Sequence, residues 1–353
     1  MKFLIGSYSE SKRCGIYTAE FDEKQERFRI VNCVDGNLNP SFLAVTFDDR
    51  HVYAVNETVD GPGAVVAYRI DPDGALVPLN RQSTAGLAPC YVSASSRHHM
   101  LVASNYLSGS LRVFALEPDG RVGSPLQLIE HHGHGPNSQR QTTAHPHAAV
   151  FDASQDFLLV PDLGSDTLFQ YRIDHRELRL WRTIELPPGS GPRHLTFSAD
   201  GHVLYLISEM ANTVTVFHRP YGDWQPMQTL PSLPNGYVGE STASDIHLSP
   251  DGRYVYAANR GDDSIVVYGV GDGGELTLVN RIATGGRTPR NFAISPDGNI
   301  LLVANQDSNN VTAFRVDRDS GRLTAIRERL PVASPSCLLF LGEGVEAGGE
   351  RIV

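Results

Sequence analysis

Ionisable and hydrogen-bonding side chains in this 353-residue chain gather at two kinds of place. The first is the start of a short apolar run: His145 and His147 in AHPHAA, Arg193 and His194 in GPRHLTF, Asp245 and His247 in SDIHLS, and Arg287 and Arg290 in GRTPRNF. The second is the end of the following apolar run: Glu57 in VNET, Asn105 and Tyr106 in SNYL, Asp162 in VPDLG, Glu209 in ISEM, Arg260 in ANRG and Gln306 in ANQD. Guanidinium forks make paired, charge-assisted hydrogen bonds to carboxylates and phosphates. An imidazole or carboxylate beside them can move a proton near neutral pH. The residue types therefore suit an anionic small molecule and acid–base chemistry, provided the fold brings them together.

The elements that must do this recur along the chain. SPDGRYVYAANRGDDSIVVY (249–268), SPDGNILLVANQDSNNVTAF (295–314) and SADGHVLYLISEMANTVTVF (198–217) share one plan. Each is an Asp-Gly turn, an apolar run, a short polar loop and an alternating run, spaced 45 to 52 residues apart. Such hairpins are strand modules, and four short strands per unit of this period indicate propeller blades. First strands open near Pro40, Pro89, Pro146, Pro192, Ser244 and Pro289, giving six units. The first 34 residues supply three strands without an opening one, and PSCLLFL (335–341) is an opening strand without a successor. Pairing the two closes a seventh sheet and removes exposed sheet edges. No long segment carries a 3.6-residue apolar period, so helix should be scarce. The expectation is an all-β, seven-bladed propeller as one domain over 1–341, with a loose tail over 342–353.

Strands of a blade run antiparallel, so first-strand starts and second-strand ends share one mouth of the central channel. The Asp-Gly turns fall on the other mouth and read as structural. The framework repeats while the mouth positions vary, as expected of a site grafted on a repeat scaffold.

Net charge is −10, which argues against nucleic acid or an anionic membrane as partner. No apolar stretch approaches the roughly 18 residues of a membrane span. The opening MKFLIGSYSE is too short in its apolar run for a secretory signal and is needed as a strand. Cys14, Cys33, Cys90 and Cys337 lack metal-type spacing, and a chain with this much core does not demand disulfides, so reduced thiols and a cytoplasmic location are expected. A monomer or weak homo-oligomer is expected.

GPRHLTF, ISEMANTVTVF, ASDIHLSPDGRYVYAANRG, TPRNFAISPDGNILLVANQ and HPHAAVFDASQDFLLVPDLG together resemble the 6-phosphogluconolactonase family of lactonase propellers, to which the fungal carboxymuconate-lactonising enzymes are similar in fold. The resemblance spans essentially the whole chain. It implies hydrolysis of 6-phosphogluconolactone in the pentose phosphate pathway at a site without metal or other cofactor. It also implies a site at the positions of His147, Arg193, Glu209, Arg260 and Arg290. The loop HHGHGPNSQRQTTA (131–144) is longer than the usual family connection and could reshape the pocket.

Each candidate has a plainer alternative. Arg193, Arg260 and Arg290 would clamp a substrate anion, or else bridge blades through Asp162 or Asp245. Glu209 would activate water or orient a histidine, or only pair with Arg193; arginines would lower its pKa and burial would raise it. His147 would take a proton from water attacking a carbonyl, or cap a strand. Gln306 and Asp245 join the substrate-binding set. Arg287 reads as a rim residue, and His194, next to Arg193, should point to the other sheet face. Five histidines between 131 and 147 complete no known ligand spacing and read as a solvated loop. There is no nucleophile elbow, phosphate-cradling glycine loop or dinucleotide fingerprint. The favoured reading makes His147, Glu209 and Arg193 catalytic, with Arg260, Arg290, Gln306 and Asp245 binding a small anionic lactone. Two rivals stay open: a cycloisomerase acting on an unsaturated dicarboxylate, and a non-catalytic propeller that binds a partner protein.

Overall fold

A computed structural model describes residues 1–46, 50–219 and 222–342. The tail expected over 342–353 lies, apart from Gly342, outside the described residues. The described chain forms seven four-stranded antiparallel sheets and no α-helix, and none of its elements is a helix able to cross a membrane. One sheet is discontinuous in sequence: Pro335–Phe340 is innermost, followed by Lys2–Ser7, Ile16–Asp22 and Arg27–Val34. Phe3 pairs with Phe340 and Ile5 with Leu338, which closes the ring as the missing opening strand implied.

The second strand of each blade is buried on both faces, as in Val203–Ser208 and Ile300–Asn305, so it reads as a continuous apolar run. Outermost strands such as Gln225–Pro231 are mostly exposed and polar. Side chains between neighbouring blades build the cores; Tyr205, Ile207 and Val216 of one blade pack with Ile246, Val255 and Ala257 of the next. Tyr53, Tyr205 and Tyr256, buried at equivalent places, donate their hydroxyls to Gly120 O, Gly274 O and Gly321 O of the following blade at 2.9, 3.1 and 3.0 Å. Each tyrosine thus buries a ring and satisfies its hydroxyl across the blade junction.

The thiols differ from the sequence expectation. Cys14 and Cys33 form a disulfide with Cα atoms 5.7 Å apart, while Cys90 and Cys337 are free and buried. The physical reason is the hairpin: Gly15 N donates to Val34 O at 3.0 Å, which holds Cys14 beside the end of the strand that carries Cys33. Metal-type spacing gives no information on such a pair.

Candidate functional site

The starts of the innermost strands carry a shared irregularity. Pro192 pairs with Ser208 and His194 with Ile207, leaving Arg193 unpaired between them. The same skip leaves Arg290 between Pro289 and Asn291, and Cys90 between Pro89 and Tyr91. In Thr242–Leu248 it spans Ser244 and Asp245. A bulge of this kind bends a strand and re-aims a side chain. Here it frees Arg193 and Arg290 from the two-fold alternation of a regular strand. It also corrects the expectation for His194, whose ring lines the central channel directly beneath Arg193.

Second-strand ends supply the other half. The last pairing residue in several blades is a buried amide or carboxylate that ties off the sheet. Asn105 Nδ2 donates to Thr84 O at 3.3 Å, and Asn259 Nδ2 to Ser232 O at 3.1 Å. Asp162 accepts from His131 Nδ1 at 2.8 Å and from the His145 and Ser165 amides at 2.8 and 3.0 Å. Asn105 and Asp162 are therefore framework residues. The site residues come one position later: Glu57, Tyr106, Glu209 and Gln306, with Arg260 at the corresponding step after Asn259.

Glu209 is the hub, with a side chain only 3% exposed. Its Oε2 lies 3.0 Å from Arg193 Nε and 2.8 Å from Arg260 Nη2, and its Oε1 accepts from Arg140 Nη2 at 2.6 Å. Burial pushes this carboxyl up, but the guanidiniums of Arg260, Arg193 and Arg140 outweigh it and hold the pKa at about 2. The bridging of blades is real, but it runs through Glu209 rather than Asp162 or Asp245. Backbone carbonyls fix two of the arginines further. Arg193 Nη1 donates to Ser244 O, and Arg260 donates through Nη2 to Ala243 O at 3.1 Å and through Nε to Thr242 O at 3.4 Å.

Arg290 sits over the Tyr8 ring, 5.2 Å from its centroid, and the Tyr8 hydroxyl donates to Glu57 Oε2 at 3.1 Å. Ser41 also donates to Glu57. Arg140, Arg193, Arg260 and Arg290 outnumber the carboxylates Glu57 and Glu209 around this mouth, within a chain whose net charge is −10. A local positive focus in an acidic molecule selects anions. Gln306 is half-buried, and its side-chain oxygen has no hydrogen-bond partner among the described residues.

His147 is buried in the same cluster, edge-on to the rings of Tyr106 at 5.5 Å and His194 at 5.2 Å. Its Nδ1 is 3.9 Å from Cys90 Sγ. Burial first, and then Arg193, His194, Arg290 and Arg260, push its pKa well below the usual histidine value, so the ring is neutral at pH 7. Beneath it, His194 Nδ1 donates to Asp245 Oδ1 at 2.7 Å and its Nε2 lies 3.3 Å from Arg193 Nη1. Asp245 also accepts from His247 Nε2 at 3.0 Å and Asn291 Nδ2 at 2.6 Å. Burial would raise the Asp245 carboxyl, yet His247 and the His194 hydrogen bond drive it far below the ordinary range. With its oxygens engaged by three side chains, Asp245 is placed to set the orientation of His194, and through it Arg193, rather than to meet a ligand.

Sequence reasoning missed two members. Tyr8 follows the second strand of the ring-closing blade, the place Glu209 occupies in its own blade, so the repeat register held the signal. Arg140 belongs to the long 131–144 connection, which has no counterpart in the repeat and gave no signal. That connection is anchored rather than solvated throughout. His131 bonds Asp162 and, at 2.8 Å, Tyr171; His145 Nδ1 donates to Tyr106 O at 2.7 Å. Arg287 is exposed at the rim. Among the described residues no three His, Cys, Asp or Glu side chains are grouped to hold a metal ion.

Comparison with known proteins agrees with this architecture. The family described as lactonase, 7-bladed beta-propeller, matches residues 2–340. The 6-phosphogluconolactonase of Bacillus subtilis strain 168 is 33% identical over 341 residues, covering 96% of this chain and 97% of its own. That of Formosa agariphila is 33% identical over 349 residues, covering 95% and 98%. The solved structure of the periplasmic gluconolactonase of Pseudomonas aeruginosa superposes with a TM-score of 0.91 at 34% identity, covering 97% and 99%.

Proposed function

The chain belongs to the lactonase family of seven-bladed β-propellers, and from that premise we propose that it hydrolyses an anionic sugar lactone, 6-phosphogluconolactone, to the open-chain acid. The observation that carries the reading is the arginine cluster around Glu209 beside a neutral buried imidazole. A phosphate monoester carries about −1.5 to −2 at pH 7 and is drawn to such a cluster.

In the proposed mechanism Arg193 and Arg260, held by carbonyl groups and Glu209, face the lactone carbonyl and stabilise the oxyanion that builds up in the transition state. His147 takes a proton from the attacking water and returns it to the leaving ring alkoxide. Glu209 is a poor base at a pKa of about 2, so its part is to hold three guanidiniums in one geometry. Gln306 and Tyr106 offer polar contacts to sugar hydroxyls. These steps need side chains alone. A δ-lactone opens slowly unaided, so general-base help and oxyanion stabilisation suffice for useful acceleration.

The direct test is hydrolysis of freshly generated 6-phosphoglucono-δ-lactone by chelator-treated protein, corrected for spontaneous opening. Clear acceleration supports the lactonase reading. No acceleration by folded protein rules this substrate out. We further propose the cytoplasm as the compartment, because a phosphorylated sugar is too charged to cross a bilayer unaided. Recovery of the Cys14–Cys33 pair oxidised from cells, under conditions that trap thiols, would instead indicate an oxidising compartment.

A further inference from the structure

The relatives of this chain include enzymes named for a phosphorylated lactone and one named for the unphosphorylated sugar lactone, all on the same scaffold. What separates the two substrates is a dianion at the end remote from the lactone carbonyl. A residue that reads this difference must carry positive charge, reach the site, and keep hydrogen-bonding capacity for a ligand.

The four arginines differ on these counts. Arg193 is 2% exposed and is committed to Glu209 and Ser244 O. Arg260 is 15% exposed and bonded to Glu209, Ala243 O and Thr242 O. Arg290 makes no side-chain hydrogen bond among the described residues, but it is half-buried over the Tyr8 ring and less exposed than Arg140. Arg140 is 43% exposed, and both its bonds, to Glu209 Oε1 and to the Tyr106 hydroxyl at 3.3 Å, leave from Nη2. Its Nε and Nη1 have no partner among the described residues, so much of its fork is available to a ligand.

Its backbone is nevertheless held. Asn137 Oδ1 accepts from the Gln139 and Arg140 amides at 3.0 and 3.0 Å, forming a tight turn. Buried Gln141 donates to Leu163 O at 2.9 Å and to Asp166 Oδ1 at 2.8 Å, pinning the turn to the next blade. The 131–144 connection is thus an anchored bracket that delivers one partly exposed guanidinium to the mouth. A fixed backbone, with Nε and Nη1 still open, costs little ordering on binding.

We propose that Arg140 is the specificity-determining residue of this site, recognising the phosphate of a phosphorylated sugar lactone at the channel mouth while the buried arginines serve the carbonyl. This rests on the lactonase reading above. A phosphate dianion competes with Glu209 for the guanidinium through charge-assisted, two-point bonds, which a neutral hydroxymethyl group cannot do.

The experiment compares wild type, Arg140→Gln and Arg140→Lys on 6-phosphoglucono-δ-lactone and on glucono-δ-lactone. The quantity read is the ratio of the two kcat/KM values, in which any common effect through Glu209 cancels. A fall in the ratio of at least tenfold in Arg140→Gln, with Arg140→Lys intermediate, is expected. A ratio within twofold of wild type in Arg140→Gln overturns the proposal. Calorimetric binding of 6-phosphogluconate and gluconate forms a second arm that needs no turnover. At least a tenfold loss for the phosphorylated acid relative to gluconate in Arg140→Gln supports the assignment even where the lactonase reading fails; equal losses overturn it.

Discussion

The two mouths of the channel are built from the same hairpins, yet one repeats a turn motif in three blades and the other changes residue type from blade to blade. On the turn side, Ser198, Ser249 and Ser295 donate to Asp200, Asp251 and Asp297 at 2.5, 2.7 and 2.5 Å. Gly201, Gly252 and Gly298 follow at φ of 69, 73 and 76°, in the left-handed region that favours glycine. That mouth opens on a cavity of about 460 Å3 lined largely by apolar side chains, among them Phe42, Leu248, Leu339 and Phe340. At the opposite mouth the corresponding places hold Tyr8, Glu57, Tyr106, Glu209, Arg260 and Gln306. Turn geometry dictates the residues of these three blades. The residue at this step bonds through its backbone, as Glu209 N does to Gly191 O and Gln306 N to Thr288 O, so no turn geometry constrains its side chain and chemistry can choose it blade by blade.

Substitutions at the two mouths should therefore separate cleanly. The largest effect is expected for His147→Gln, a fall in kcat/KM of about 10²- to 10⁴-fold if it is the general base. Steady-state rates on the phosphorylated lactone check this; a loss below threefold removes His147 from the proposed role. Arg193→Ala should follow at about 10²- to 10³-fold, mainly in kcat, because it removes an oxyanion donor. A pure rise in KM would reassign it to ground-state binding.

Glu209→Gln should reduce activity at least tenfold and also destabilise the fold by about 3–5 kcal/mol, since it strands buried guanidiniums. Its pH dependence has a definite sign. The folded pKa of about 2 lies below the ordinary 4.5, so the carboxylate's stabilisation is complete above about 4.5 and is lost as pH falls towards 2. The gap in melting temperature between wild type and Glu209→Gln should thus narrow between pH 5 and pH 2.5; a constant gap contradicts it.

His147 titrates below its ordinary 6.5, so kcat/KM on the unphosphorylated lactone should stay level as pH falls from 8 through 6.5 and drop only below that. A half-drop near 6.5 would mean a solvated imidazole. The smallest effect belongs to the turn mouth. Asp297→Ala removes turn hydrogen bonds, including that from Ser295, and should cost about 1 kcal/mol in denaturant unfolding, with kcat/KM within twofold of wild type.

Much of this contrast was legible in the chain. The recurring Asp-Gly turns, the apolar second strands and the unmatched PSCLLFL gave the blades and their closure. Counting from strand starts and ends put His147, Arg193, Glu209, Arg260, Arg290 and Gln306 at one mouth, and the first five lie within one electrostatic cluster. Asp245 and His194 were misjudged because the count assumed regular alternation. The skipped residues at Arg193 and at Ser244–Asp245 broke it and turned both side chains into a layer beneath the site.

Strand alternation and turn chemistry are local, acting over a few residues, so the sequence by itself determined the blades, their number and the face on which ionisable groups collect. Which of those groups touch is a non-local matter. Arg140 meets Glu209 across 69 residues, and Cys14 meets Cys33 across a hairpin. The low Glu209 pKa arises only when three guanidiniums from separate segments converge on one buried carboxylate. Such contacts depend on bulge position, loop path and burial, and the tertiary structure alone decides these because they are set by the packing of the closed ring.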